Sequence, residues 1–217
     1  MLTEILRELS ATHTTLVAVS KTHGPERILE VYNEGQRIFG ENRVQEMLDK
    51  YAALPKDIEW HLIGHLQTNK VKYIAPFVRM VHSVDSLRLL QEIDKQALNN
   101  GRVIDCLLQF HIAEEETKFG LDEAEARALL EDDIFPQLKN IRICGVMGMA
   151  SFTDDVEQVR SEFRRLKTIF QHLKKDFFPG DPGFREISMG MSGDWRVAVE
   201  EGSTLVRIGS LIFGQRS

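Results

Sequence analysis

One lysine of this chain stands where a lysine is seldom left without a task. It closes the run Leu16-Val17-Ala18-Val19-Ser20-Lys21-Thr22, a short apolar strand with a charge at its end. A lysine held at a strand end in a partly dry pocket gives up its proton more readily than one in water. Its neutral amine can then condense with an aldehyde. The groups brought around that amine decide its use.

Three glycine-bearing segments follow strand-like runs: Gly145-Val146-Met147-Gly148-Met149, Ile187-Ser188-Met189-Gly190-Met191-Ser192-Gly193-Asp194 and Val206-Arg207-Ile208-Gly209-Ser210-Leu211. The loops after the seventh and eighth strands of a barrel are its usual phosphate-binding place, through backbone N–H groups and a short helix N-terminus. Ser188, Ser210 and the backbone at Gly190 and Gly209 are suited to that cradle. A single Gly-Ser pair would read as a strand-ending turn. Two in adjacent loops, opposite a strand-end lysine, favour the cradle. Arg207 precedes the Gly209 turn, and two readings stay open for it: a structural cation paired with a carboxylate, or a donor to a ligand beside the phosphate. Asn42 and Gln45 have the spacing of a helix N-cap, a position that also touches ligand at that face. His61 and His65 are four apart, as in a zinc pair. They straddle a strand end and Gly64, and no glutamate follows His61. No metal is expected, and the histidines are read as lining or supporting the pocket.

Alternation along the chain supplies the elements that must hold these groups. Strands are expected at 15–19, 37–39, 59–63, 80–84, 104–110, 141–147, 185–188 and 205–208. Between them, Val44, Met47, Leu48 and Tyr51 share one helical face, as do Leu87, Leu90, Ile93 and Ala97. The longest such series is Val156, Val159, Phe163, Leu166, Phe170 and Leu173. Asp122 with Glu125, and Asp154 with Glu157, have capping-box spacing. Eight strands alternating with helices predict a parallel α/β protein, a single (β/α)8 TIM barrel over residues 1–217. An open doubly wound sheet is the alternative that periodicity leaves standing. In either, function sits at the C-terminal ends of the strands.

Composition narrows the class. Hydrophobic residues make up 42% and charged residues 28% of the chain, and its net charge is -6, which argues against a general nucleic-acid partner. No apolar run reaches membrane-spanning length. The start Met1-Leu2-Thr3-Glu4 lacks the pattern of a secretory signal. Cys106 and Cys144 lie in apolar runs and are expected as reduced, buried thiols. A cytoplasmic location follows as the expectation.

Taken in order, the motifs resemble those of the YggS/PROSC family of pyridoxal-phosphate-binding homeostasis proteins. The matching pieces are Ala18-Val19-Ser20-Lys21-Thr22, Phe39-Gly40-Glu41-Asn42-Arg43-Val44-Gln45-Glu46 and His61-Leu62-Ile63-Gly64-His65-Leu66-Gln67-Thr68-Asn69-Lys70. They continue with Thr117-Lys118-Phe119-Gly120, the Gly145–Met149 segment, Ser188-Met189-Gly190-Met191-Ser192 and Val206-Arg207-Ile208-Gly209. The resemblance implies a barrel like the N-terminal domain of alanine racemase, without the C-terminal β-domain, carrying pyridoxal 5'-phosphate on a lysine. It implies the Schiff-base role for Lys21 and places Arg207 at the pyridine nitrogen. Ser188, Met189, Gly209 and Ser210 then fall in the phosphate cradle, with Asn42 beside the cofactor. The chain departs from the pattern in a short segment before the first strand, in Ala150-Ser151-Phe152, and in the acidic Glu114-Glu115-Glu116.

An arginine at the ring nitrogen favours an unprotonated ring and a weaker electron sink, which disfavours transamination and leaves racemisation. Racemisation needs a base on each face. The resemblance implies that alanine racemases take the second base, a tyrosine, from a β-domain of the partner subunit, a domain this chain is expected to lack. Tyr32, Tyr51 and Tyr73 fall in helical segments, leaving His61, His82 and His111 as substitutes. The expectation is therefore a monomeric carrier of pyridoxal phosphate with little or no turnover, delivering it to apo-enzymes. An amino-acid racemase with a substitute base, and a lysine aldolase acting on a phosphorylated sugar, are the alternatives.

Overall fold

The computed structural model describes residues 2–114 and 120–214. Thr117, Lys118 and Phe119 of one motif, and Glu115 and Glu116 of the acidic run, lie outside the described residues. Eight parallel strands close into one barrel in sequence order, so the open sheet is set aside. The order is α1 (Leu2–Ser10), β1 (Thr15–Val19), α2 (Pro25–Asn33), β2 (Ile38–Glu41), α3 (Val44–Ala53), β3 (Glu59–Leu62) and α4 (Val71–Ile74). It continues with β4 (Met80–Val84), α5 (Leu87–Asn99), β5 (Ile104–His111), α6 (Glu123–Glu131), β6 (Ile141–Met149) and α7 (Val156–Phe177). Last come β7 (Glu186–Ser188), α8 (Trp195–Glu200), β8 (Leu205–Ile208) and α9 (Ser210–Phe213). The segment before β1, though short, forms a helix whose Leu2, Ile5 and Leu9 are buried. Among the described residues, no helix is long and apolar enough to cross a membrane.

Period-two alternation sorts the strand residues into two cores. Phe39, Trp60, Phe110 and Phe163 belong to the layer between the strands and the surrounding helices. A smaller cluster of Val17, Met80, Leu107, Cys144, Met147 and Leu205 fills the lumen. Two residues past Met80 and Leu205, the same inward face carries His82 and Arg207, so the lumen turns polar toward the C-terminal rim. Both cysteines are buried free thiols.

Of the expected helix caps, one forms and two differ. Asp122 and Glu125 form the reciprocal capping box of α6. The cap of α7 is Asp155, which accepts from the Glu157 and Gln158 N–H groups, not Asp154. Asn42 does not cap α3. Arg43 occupies that position, and no side chain caps it.

Candidate functional site

The strand order β8–β1–β2 sets Gly209, Lys21 and Asn42 side by side on the C-terminal rim. Pairing runs one residue past β1, because the Ser20 N–H donates to the Gly40 carbonyl at 3.1 Å. The chain then turns sharply, and the His23 N–H closes back on the Ser20 carbonyl at 3.1 Å. Lys21 sits in this turn, partly buried. The His23 ring stacks on Phe213 of α9 with centroids 5.0 Å apart. The turn is thereby fastened toward the loop that follows β8.

The loops after β7 and β8 are also built together. Gly190 has φ +93°, and a Cβ there would lie 2.5 Å from the Ala198 Cβ. Glycine alone takes that turn without strain. Its carbonyl accepts the Arg207 N–H at 2.9 Å, and the Met189 N–H donates to the Leu205 carbonyl at 3.1 Å. Ser192 Oγ accepts the Gly209 N–H at 3.2 Å. A Cβ on Gly209 would stand 3.0 Å from the Val19 carbonyl oxygen, so the end of β8 passes close against β1. Ser210 then opens α9, where the first N–H groups have no acceptor within the helix.

Of the expected cradle residues, Gly209 and Ser210 lie on this rim, and Met189 contributes backbone while its side chain packs in the outer core. Ser188 is turned elsewhere. Its fully buried hydroxyl accepts from Arg207 Nη1 at 2.6 Å and bonds His82 Nδ1 at 2.9 Å. The hydroxyl at the loop pair belongs to Ser192, a residue outside the expected cradle set. Its signal was there in the repeat Ser188-Met189-Gly190-Met191-Ser192, where a glycine turn separates two serines.

Arg207 is 4% exposed, and its Nη2 donates to the Gly148 carbonyl at 3.0 Å. Among the described residues its recorded bonds go to a hydroxyl and a carbonyl, with no ion pair. The reading of a carboxylate-paired structural cation is not what the fold contains. Burial pulls its pKa down to about 10, while Asp194, acting through space, pushes it up. Behind it runs a chain of neutral groups, since His61 Nδ1 and His82 Nε2 are 2.9 Å apart. Burial first, and Arg79 second, bring the His61 pKa down to about 3. Burial, His61 and Arg207 hold His82 well below its ordinary value. One donor order is consistent with all three of these bonds. Arg207 donates to Ser188, Ser188 to His82 Nδ1, and His82 Nε2–H to His61 Nδ1. The two histidines considered as substitute bases thus brace Arg207 from the lumen, while His111 ends β5 at the rim.

Asn42 Oδ1 is buried with no hydrogen-bond partner among the described residues. It borders a cavity of about 440 Å³ lined also by Arg43, His65, Lys70 and Tyr73. His65 is half-exposed, 3.6 Å from Asp85.

A parallel barrel that fastens a rim lysine beside a Gly/Ser loop pair, with a buried arginine below, defines a lysine-bearing barrel whose polar groups gather at the C-terminal rim. Residues 3–217 match the family model of the alanine racemase N-terminal domain, and the chain belongs to that family. It is 44% identical over 202 residues to the pyridoxal phosphate homeostasis protein of Aquifex aeolicus, spanning 93% of this chain and 86% of that protein. The human protein of the same name is 40% identical over 222 residues, covering 97% and 79% of the two chains. PipY of Synechococcus elongatus superposes with TM-score 0.88 at 37% identity, covering 99% of this chain and 100% of that one. The structure of PipY with PLP bound gives TM-score 0.84 at 36% identity over the same shares. An alanine racemase of Clostridium difficile shares the fold at 15% identity and TM-score 0.74, over 99% of this chain and 56% of that one.

Proposed function

We propose that this protein holds pyridoxal 5'-phosphate reversibly on Lys21 and serves its homeostasis, buffering the cofactor and delivering it to apo-enzymes. The observation that carries the reading is the placement of Lys21 between the Gly209 loop and Asn42, above a buried arginine that bonds the Ser188 hydroxyl and the Gly148 carbonyl. The chain fits the cofactor in three respects. Ser192, Gly209, Ser210 and the backbone from Met189 to Gly190 gather hydroxyls and backbone N–H groups on one side of the rim, the donor set a phosphate takes. Arg207 presents a guanidinium that donates but cannot accept a proton from a ring nitrogen. Asn42 offers a buried amide with an unused acceptor.

When bound, the cofactor supplies an aldehyde that condenses with a primary amine, losing water, and is freed again by hydrolysis. Lys21 provides that amine. Arg207, fixed by Ser188 and the Gly148 carbonyl, would offer a bound ring a donor rather than a proton acceptor, which favours an unprotonated ring and weaker electron withdrawal. His61 and His82, buried, neutral and occupied with each other, are poorly placed to act as a second base at the rim. Both features suit a carrier with little turnover, for which a monomer in the cytoplasm is the form proposed.

The test is an absorbance band on mixing with pyridoxal phosphate, followed by borohydride reduction and peptide mapping. The mass increment is expected on Lys21, with both signals lost in Lys21→Ala. Wild-type protein that gives no reducible adduct overturns the reading. Inversion of amino acids by the loaded protein above the free-cofactor background would replace the carrier with a racemase.

A further inference from the structure

A charged cluster that the function above leaves unused lies directly beneath the Lys21 turn. Lys50 of α3 is 5% exposed, a depth at which lysine needs partners. Its Nζ is 2.7 Å from Glu41 Oε1, 2.9 Å from the Ser20 carbonyl oxygen and 3.6 Å from Glu46 Oε2. The same Glu46 oxygen accepts the Thr22 N–H at 3.0 Å. Ser20 Oγ donates to Glu41 Oε1 at 2.5 Å. One ammonium and two carboxylates therefore grip both residues that flank Lys21.

The turn they grip is strained. Thr22 has φ +69°, in the left-handed region that a β-branched residue avoids. Such conformations persist where the surroundings over-determine them, and they concentrate at functional sites. Burial pushes the Glu46 carboxyl up, but the Thr22 N–H, Lys50 and Arg43 outweigh it and hold it below the usual range. Glu46 is thus a charged acceptor at neutral pH. A cluster that only joined α3 to β2 would have no need to reach Ser20 and Thr22. This one places three of its contacts there, two on the residue before and one on the residue after a single lysine.

We propose that Lys50 and Glu46 are positioning residues that hold the Ser20–Thr22 turn so that the Lys21 amine is presented for condensation. The inference rests on the reading of Lys21 as the attachment residue. Without the Glu46 acceptor, Thr22 loses the side-chain contact that favours its positive φ, and only the His23 closure and the Lys50 bond to Ser20 still hold the turn. The turn then relaxes, and the amine spends less of its time in the reactive arrangement.

Glu46 is the better handle, because its side chain is 28% exposed and its removal spares the buried lysine. The full chain, as wild type, Glu46→Ala and Glu46→Gln, is mixed with pyridoxal phosphate, and adduct formation is followed by absorbance and borohydride trapping. Glu46→Ala is expected to form the Lys21 adduct about tenfold more slowly. Glu46→Gln keeps an oxygen for the Thr22 N–H and is expected to recover most of that rate. Pyridoxamine phosphate, which shares ring and phosphate but cannot condense, serves as the second probe. Its affinity is expected to change less than twofold in Glu46→Ala, whereas general damage to the site would weaken it as well. A wild-type adduct on Lys21 with unchanged kinetics in Glu46→Ala overturns the positioning role alone. Equal loss of pyridoxamine phosphate affinity does the same. No Lys21 adduct in the wild type overturns the function itself, and this inference with it.

Discussion

Acidification from pH 7 to pH 5 should destabilise the fold through its two lumen histidines. In the unfolded chain each binds a proton near pH 6.5, whereas folded His61 stays neutral down to about 3 and folded His82 well below its ordinary value. Between those limits the unfolded state carries more protons, so stability falls as pH falls, by about 1.4 kcal/mol per pH unit for each group. Integrated from pH 7 to 5, that is about 2 kcal/mol for His61, with His82 adding in the same direction, a sizeable part of a typical domain's stability. Glu41 and Asp194 act in the opposite sense. Burial raises both carboxyls, so the folded state takes up their protons first. The comparison is therefore between wild type and a His61→Gln/His82→Gln variant that keeps those carboxylates. Urea unfolding at pH 7, 6 and 5, followed by circular dichroism, gives the two stability curves. Wild type is expected to lose at least about 2 kcal/mol more than the variant over this range. A difference below about 1 kcal/mol would refute the buried neutral chain behind Arg207.

Other parts of the structure make simpler predictions. Gly190→Ala places a Cβ 2.5 Å from the Ala198 Cβ at φ +93°. It should cost about 2 to 4 kcal/mol in a thermal melt and loosen phosphate binding. Glu162 of α7 accepts the Ser151 N–H and hydroxyl, each at 2.7 Å, and the Glu114 N–H at 3.1 Å. Glu162→Ala should remove about 2 to 4 kcal/mol and speed amide exchange at Ser151. Cys106 and Cys144 are buried, and burial raises both thiol pKa values, that of Cys144 to about 11. A thiol reagent at pH 8 should leave the native protein unlabelled and modify both after denaturation.

Where the strands were legible, their residues were plainly apolar. β1, β4 and β8 fall on the expected residues. The β2 strand was expected at 37–39 but runs Ile38–Glu41. Gly40 and Glu41 look like turn residues in a linear reading. In the fold, Gly40 pairs with Val19, and Glu41 is buried because Lys50, nine residues on, meets it there. The ends of β5 and β6 were underread in the same way, at His111 and at Gly148-Met149. Asn42 shows the opposite limit. Its cap-like spacing is real, but the helix begins one residue too late for it to serve.

The sequence alone determined the alternation that makes a barrel, the lysine at the end of the first strand, and the glycine-serine segments after the last two. Those signals are local, because strand and helix periods and turn chemistry are properties of neighbouring residues. Only the tertiary structure decided which serine serves which partner, and that Lys50 belongs beneath Lys21. Period two tells which residues share a face, but not which distant residue waits across the lumen. His82 and Ser188 are 106 positions apart and meet at 2.9 Å. That contact exists only once the barrel has closed.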